Sequence, residues 1–360
     1  MNALESARQE INRIDGEMAR LFERRMKAVE QIAAYKKENG LPVRDPVREA
    51  AVIDRNRSYI QNHEIEAHYV AFQQHVMDVS CAWQDSLIRG RKVAYSGVEG
   101  AYAHIAARKL FPEANFEGKP GFVEAYQAVE NGQCDCAVLP LENSSAGEVG
   151  TVMDLLFSGT LYINQVLDLP IRHALMAGPD AEISGIRTVY SHPQALRQCG
   201  DYLRARGWKT VECENTAAAA RRVLEAGDSS MAAIASEEAA ELYGMKLLES
   251  GINDVASNAT RFAVFSRSQN RPERTGQRDS AGFILVFTVQ NKAGALAQTL
   301  NIIGAHGYNM KNLRSRPMKD LQWNYYFYIE AEGNINNDNG EMLLRELSAL
   351  CARLKLVGIY

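Results

Sequence analysis

From about Ala3 to Glu38 the sequence holds no proline, and it stops at Asn39-Gly40, a helix-ending pair. Apolar residues recur at Leu4, Ala7, Ile11, Ile14, Met18, Leu21, Ala28 and Ile32, alternating threes and fours. That heptad-like seam predicts one long helix lying against another helix. Arg25 falls on the seam between Leu21 and Ala28, Lys36 lies just beyond Ile32 on nearly the same face, and Arg8 sits beside Ala7. Arg13, Arg20 and Lys37 fit an ordinary solvated face. A guanidinium turned into a bundle, by contrast, is costly unless it meets an anion or a carboxylate. After Leu41-Pro42-Val43-Arg44-Asp45-Pro46 a second helix is predicted from about Val47 to Asn62, with Arg48 and Glu49 in its first turn. A third is predicted from about Glu66 to Ile88, where Ser80 and Gln84 stack four apart on one face.

Beyond the basic stretch Arg89-Gly90-Arg91-Lys92 the pattern changes to strands alternating with helices. It begins with Lys92-Val93-Ala94-Tyr95-Ser96 and the glycine turn Gly97-Val98-Glu99-Gly100-Ala101-Tyr102-Ala103. Helices are predicted for Phe122 to Asn131, Ala195 to Arg206, and Thr216 to Ala226 with Thr216 as its cap. Strands are predicted for Cys134 to Leu139, Ile171 to Met176, Thr188 to Tyr190, Thr210 to Glu212 and Met231 to Ala235. Leu161-Tyr162-Ile163 leads into a second lobe, and the chain returns to the first near Asn253 to Phe265.

Within Ala137 to Val149 the strand is expected to end at Pro140 and run into a polar turn, with a helix following from about Val149 to Leu156. In an open α/β sheet such strand-to-helix turns are where ligands bind, and their free amides suit a carboxylate or phosphate. Two more turns stand out: Tyr190-Ser191-His192-Pro193-Gln194, after a predicted strand, and Asn258-Ala259-Thr260-Arg261-Phe262, before the apolar run Ala263-Val264-Phe265. On spacing alone an ordinary capped turn is the commoner explanation for each.

Taken together and in this order, the Glu142-Asn143-Ser144, Ser191-His192-Pro193-Gln194 and Thr260-Arg261-Phe262 turns resemble prephenate dehydratase. The resemblance implies a two-lobed α/β domain over 91–267, of the type II periplasmic-binding-protein architecture, with the site in the cleft. It implies catalytic roles for Thr260, Glu142, Asn143, His192 and Gln198, and substrate contacts from Ser144, Ser191 and Arg261. His192 and Glu142 titrate suitably for proton transfer, whereas either can equally be a turn or cap residue. The glycine turn also resembles that family's first substrate loop, but Ala101 and Ala103 stand where relatives carry hydroxyls.

Residues 1–90 resemble the all-helical chorismate mutases through Arg8, Arg25, Lys36, Asp45, Arg48, Glu49, Ser80 and Gln84. That family forms an intertwined dimer in which one arginine crosses from the partner; here it would be Arg8. The resemblance implies that Lys36 and Gln84 address the ether oxygen of chorismate and that Glu49 binds the ring hydroxyl. Arg25, Arg48 and Arg8 hold the carboxylates, and Asp45 and Ser80 contact the substrate.

Ser266 to Asp279 reads as a polar linker, with Asn270, Arg271, Pro272, Arg274 and Gly276. From about 280 to 360 the expected order is βαββαβ, which is ferredoxin-like. With Gly294-Ala295-Leu296 and Ser315-Arg316-Pro317 it resembles the ACT regulatory domain of phenylalanine-sensing dehydratases, whose members pair edge to edge and bind the amino acid between subunits. One departure is Arg314, where that family usually has glutamate. The three modules stand in the order of the bifunctional chorismate mutase/prephenate dehydratases of phenylalanine biosynthesis.

At 360 residues the chain has room for two or three domains at roughly 100–200 residues each. A formal net charge of −4 gives no support for a nucleic-acid partner. The six cysteines form no CxxC pair and read as reduced thiols, with Cys134 and Cys136 on one strand face. No metal site or cofactor is expected. The polar N-terminus and the lack of any long apolar run point to a cytoplasmic enzyme, with no membrane partner. Its expected partners are chorismate, prephenate, L-phenylalanine and a second copy of itself, in a homodimer or higher homo-oligomer. Rival readings are a dehydratase with a vestigial mutase, opposed by the intact mutase pattern, and a non-enzymatic two-lobed ligand sensor, opposed by the cations in the helical seam.

Overall fold

The computed structural model describes residues 2–270, 282–318 and 324–360. Most of the expected linker, with Arg271, Pro272, Arg274 and Gly276, lies outside the described residues. The chain divides into two compact units, Met1–Arg91 and Lys92–Tyr360.

The first unit is helical: α1 (Ala3–Asn39), α2 (Pro46–Arg57) and α3 (Glu66–Arg89). The first helix opens with a capping box, Asn2 Oδ1 accepting from the Glu5 N–H while the Glu5 carboxylate accepts from the Asn2 N–H. It closes on Gly40, whose φ of 64° only glycine adopts without cost. The second helix stops at Arg57, five residues short of the expected end. There the Ser58 hydroxyl donates to the Arg55 carbonyl at 2.7 Å, and Asn62 caps a separate short turn by accepting from the Glu64 N–H. Of α1 only Val29 and Ala33 are buried; Leu4, Ile11, Ile14, Met18, Leu21 and Ile32 keep 41–59% of their surface exposed. The apolar seam read from the sequence is therefore filled by this chain only around Val29 and Ala33.

The second unit starts with β1 (Lys92–Ser96), α4 (Tyr102–Leu110), β2 (Asn115–Lys119), α5 (Phe122–Glu130), β3 (Cys136–Asn143), β4 (Gly147–Glu148), α6 (Gly150–Ser158) and β5 (Tyr162–Pro170). The chain crosses to a second sheet of β6 (Ala174–Ala177), β7 (Thr188–Ser191), β8 (Lys209–Glu212), β9 (Met231–Ala235) and β10 (Lys246–Ser250), ordered β10-β6-β9-β7-β8. That lobe carries α7 (Pro193–Gln198), α8 (Gly200–Arg206), α9 (Thr216–Ala226) and α10 (Glu237–Tyr243). The chain then returns as β11 (Ala259–Ser266), antiparallel to both β3 and β5. Apolar residues of β1, β3 and β11 face both ways into buried clusters, as expected for strands covered on both sides.

Several elements differ from the sequence reading. The single helix expected over Ala195–Arg206 is two, broken at the buried Cys199 (φ −118°). The cap of α9 is Asn215, whose side chain accepts from the Ala218 N–H, and not Thr216. The β3 strand does not end at Pro140 but runs on to Asn143, held by β11 across a register shift at Arg261/Phe262. A proline fits where such an irregularity interrupts the ladder. Cys134 precedes the strand, so it packs into a different cluster from Cys136. All six cysteines are free.

The C-terminal part is β12 (Gly282–Thr288), α11 (Ala295–Ala305), β13 (Met310–Pro317), β14 (Tyr325–Glu332), α12 (Asp338–Leu350) and β15 (Arg353–Ile359). Its four strands are antiparallel in the order β13-β14-β12-β15, the expected βαββαβ topology. This sheet joins that of the first lobe where Gly358 of β15 meets Ile163 of β5. A Cβ at position 358 would stand 2.7 Å from the Ile163 carbonyl oxygen, so glycine is what permits the junction. Among the described residues, no helix is long and apolar enough to cross a membrane.

Candidate active sites

In the helical unit, Arg25 of α1 is half-buried and donates to the Ser80 hydroxyl of α3, which donates in turn to the Val76 carbonyl at 2.7 Å. One turn on, Gln84 is 6% exposed, and its Oε1 has no hydrogen-bond partner. Burying a polar atom unpaired is costly, so the open end of this carboxamide marks a place for a ligand; its Nε2 makes only one long bond, 3.4 Å, to the Ser80 carbonyl, and the amide turned over presents its NH₂ to that ligand. Between them the Cys81 thiol lies 3.8 Å from Glu49 Oε1. Burial raises its pKa, Glu49 raises it further, and Arg44 and Lys36 pull it down, so these groups surround one spot on α3. Burial also lowers the Arg25 pKa.

Lys36 donates to the Val43 carbonyl at 2.5 Å, and Asp45 serves as the cap of α2 by accepting from the Arg48 N–H. Arg48 is exposed, and so is Arg8. Seventeen helical positions separate Arg8 from Arg25, roughly 25 Å along one axis, so the two cannot meet within one chain.

In the second unit a cavity of about 390 Å³ opens between the two lobes. The β3 and β11 strands bring Asn143 opposite Thr260 in register, both facing it. Asn143 Oδ1 accepts from the N–H groups of Ser145 (3.1 Å) and Ala146 (2.9 Å), which can only donate, so its amide orientation is fixed. Its Nδ2 then donates to Asn258 Oδ1, to the Ala259 carbonyl and, at 2.9 Å, to Thr260 Oγ1. Because Thr260 Oγ1 accepts there, its own hydroxyl hydrogen remains to be donated into the cavity.

From the second lobe come His192 and Gln198. His192 caps α7 through Nδ1, which accepts from the Gln194 N–H at 3.2 Å. Burial, reinforced by Arg197, lowers its pKa.

The helices supply the field. α4, α5 and α6 all begin at this cavity, at Ala101, Gly121 and Val149, and no side chain caps any of them. Their first amides are thus left for a ligand, and the aligned peptide dipoles favour an anion there. Gly97 shapes the approach to α4 with φ 91°. Among the described lining residues there is no lysine or arginine, and Glu214 is the single carboxyl.

Four residues expected in the cleft are placed elsewhere. Glu142 and Arg261 neighbour Asn143 and Thr260 in sequence, and strand alternation turns them to the opposite side. Glu142 accepts from Arg314 of β13, and Arg261 bonds Asp168 (2.7 and 2.8 Å) and Glu330 of β14 (2.8 and 3.0 Å). Ser191 is fully buried, its hydroxyl donating to the Ile234 carbonyl at 2.6 Å. Ser144 ties its turn to β11 by accepting from the Ala259 N–H. The sequence reading missed His173, which lines the cavity and lies 2.9 Å from Gln198 Oε1, and Tyr102 beside it.

In the C-terminal part Gly294 (φ 82°) and Ala295 start α11, and Leu296 lines a small cavity of about 100 Å³ with Val289, Asn291, Asn324 and Phe327. Ser315 and Pro317 lie on the exposed face of β13. Arg316 points the other way, bonding Glu148 and, at 3.2 Å, Asp154 of the first lobe. No cluster of metal-ligand side chains is present among the described residues.

A family model described as prephenate dehydratase matches residues 93–270, and one described as chorismate mutase type II matches residues 7–85. A bifunctional chorismate mutase/prephenate dehydratase of Enterobacter agglomerans is 33% identical over 100% of this chain and 96% of its own. Among solved structures, a prephenate dehydratase from Arthrobacter aurescens in complex with L-Phe is 27% identical with a TM-score of 0.69, over 75% of this chain and 89% of that one. A protein described as a novel type of quorum quenching acylase, GqqA, is 30% identical with the same TM-score, over 75% and 97%. With a full-length relative at that identity, the chain belongs to the bifunctional chorismate mutase/prephenate dehydratase family.

Proposed function

We propose that the helical unit rearranges chorismate to prephenate and that the two-lobed unit converts prephenate to phenylpyruvate, under feedback by L-phenylalanine. The observation that carries the second step is the cavity onto which three uncapped helices converge beside the Asn143–Thr260 pair. Prephenate is a dicarboxylate, and helix amides bind carboxylates without needing a cationic side chain. As the ring carboxylate leaves as carbon dioxide, the electron pair of the broken C–C bond aromatises the ring and expels the ring hydroxyl. That hydroxyl takes up one proton and departs as water. Thr260 donates a hydrogen bond to it and relays the proton, while His192, whose Nδ1 accepts from the Gln194 N–H and whose burial favours the neutral ring, offers its Nε2–H as a hydrogen-bond donor. Glu142 is engaged with Arg314 and is not needed for this step.

For the mutase, catalysis is positioning and charge stabilisation, since the Claisen rearrangement uses no covalent catalyst. Arg25 and Arg48 hold carboxylates, and Lys36 and Gln84 donate to the ether oxygen. Asp45 and Ser80 orient the groups beside them, Asp45 through the α2 cap. Arg8 completes the site of a partner subunit, and the exposed apolar face of α1 is what that partner covers. The domain from 280 to 360 acts as an ACT-type regulator. L-Phe binds near Leu296, and the exposed edge strand β13 offers a pairing surface to a second copy.

The test supplies chorismate and follows prephenate and phenylpyruvate separately, with and without L-phenylalanine. Both products should appear in sequence, the second suppressed by the amino acid. Prephenate accumulating without phenylpyruvate, or no turnover of chorismate, would refute the corresponding half.

A further inference from the structure

The dehydratase cavity holds a polar side chain for which the reaction as described has no use. His173 is 2% exposed and lies on the segment where the chain crosses from β5 to β6. It is held firmly: its N–H donates to Asn253 Oδ1 at 2.7 Å, and its carbonyl accepts from the Ile252 N–H on the returning segment.

The protonation pattern around it follows from donors that cannot reverse. Asn143 Oδ1 is fixed by the Ser145 and Ala146 amides, so the group that Gln198 presents to it, at 3.4 Å, must be its NH₂. Gln198 Oε1 therefore faces His173, and His173 Nε2, 2.9 Å away, must carry the hydrogen. On the other side Nδ1 can only accept, and the single hydrogen of the Tyr102 hydroxyl is shared between it, at 3.2 Å, and the Arg172 carbonyl, at 2.8 Å. Burial lowers the His173 pKa, in keeping with a neutral ring. Of the two bonds on the Gln198 amide, the one to the imidazole is the shorter and so the stronger restraint.

We propose that His173 is a positioning residue of the dehydratase: its Nε2–H holds the Gln198 carboxamide so that the second NH₂ hydrogen is aimed at substrate beside Asn143 and Thr260. Nothing else grips the Gln198 oxygen among the described residues, and a carboxamide released there would be held only by its longer bond to Asn143. The inference rests on the dehydratase reading. If the parent enzyme does not convert prephenate, that reading fails; the variants below are judged only against an active parent.

The experiment compares His173→Leu, His173→Gln and His173→Asn in the full chain, with kcat and KM for prephenate and a thermal melt for each. Glutamine can place an N–H near the Nε2 position, whereas asparagine reaches only the Nδ1 side. His173→Leu and His173→Asn should lower kcat by about tenfold, the loss expected of one buried hydrogen bond. His173→Gln should recover most of it, with KM little changed throughout. In a Gln198→Met background, His173→Leu should lower kcat no further, because the interaction it removes is already gone. Equal activity of the glutamine and asparagine variants, or losses that add in the double variant, would overturn the assignment. Should the leucine variant not fold, the glutamine–asparagine comparison, between two polar side chains, decides alone.

Discussion

Arg261 stands next to Thr260, yet the structure gives its guanidinium two carboxylates outside the cavity, and this sets up a sharp test. Glu330 is 3% exposed and takes two hydrogen bonds from Arg261 Nη1, while Asp168, with 56% of its side chain exposed, takes one from Nε and one from Nη2. In Arg261→Met the buried Glu330 keeps, among the described residues, only the Tyr360 hydroxyl, at 2.5 Å. Removing one partner of a buried pair costs about 3–5 kcal/mol, and the retained hydroxyl argues for the lower end. Asp168 is too exposed to add much. At roughly 2–4 °C per kcal/mol for a domain of this size, the melting temperature of the second unit should fall by about 10 °C. Prephenate KM should hardly move.

The pH dependence adds a second reading of the same variant. Arg261 holds the Asp168 carboxyl below its usual range, so its contribution to stability is present above the unfolded value of about 3.9 and is lost as pH falls through the lower folded value. That acid-side slope should flatten in Arg261→Met. A prephenate KM raised a hundredfold with an unchanged melting temperature would place the guanidinium on the substrate and refute the reasoning.

Three other outcomes are expected. Arg25→Ala should cost the mutase about a hundredfold or more while leaving the dehydratase intact, and Thr260→Ala should do the reverse; assays on chorismate and prephenate separately would expose any shared site. Gln84→Glu should shift mutase activity toward acid, since an ionised carboxylate turns a donor into an acceptor facing the ether oxygen; an unchanged pH–rate profile would remove Gln84 from the site. Arg314→Glu would set a carboxylate beside Glu142 and Glu148, weakening the contact between β13 and the catalytic lobe, and L-phenylalanine inhibition should weaken about fivefold or more; an unaltered inhibition curve would exclude that contact from regulation.

The sequence was most readable where periodicity and caps are local. The bounds of α9 and β9 follow from local pattern, although the α9 cap stands one residue earlier than expected, and so does the βαββαβ order of the last eighty or so residues. It was least readable where partners far along the chain decide. Asn115–Lys119 has little strand propensity and is a strand because it pairs in parallel with β1. The break at Cys199 also lies beyond periodicity, since both halves of Ala195–Arg206 look helical. His173 was hidden inside the stretch read as the strand Ile171 to Met176, and only the return of the chain through Ile252 and Asn253 sets it against Gln198.

The two misplaced charges share one cause. Ending the strand at Pro140 put Glu142 and Asn143 together in a turn, where neighbours can face the same way. The strand continues, and in a strand they cannot. The same alternation separates Thr260 from Arg261 on the paired strand. Each motif therefore combines one residue that faces the substrate cavity with one that grips the C-terminal domain, Asn143 with Glu142 and Thr260 with Arg261. Because the members of each couple share a peptide bond, a shift of β13 or β14 that pulls on the outer pairs acts on the same backbone that sets the Asn143–Thr260 distance. A signal from the C-terminal domain needs no longer route than that.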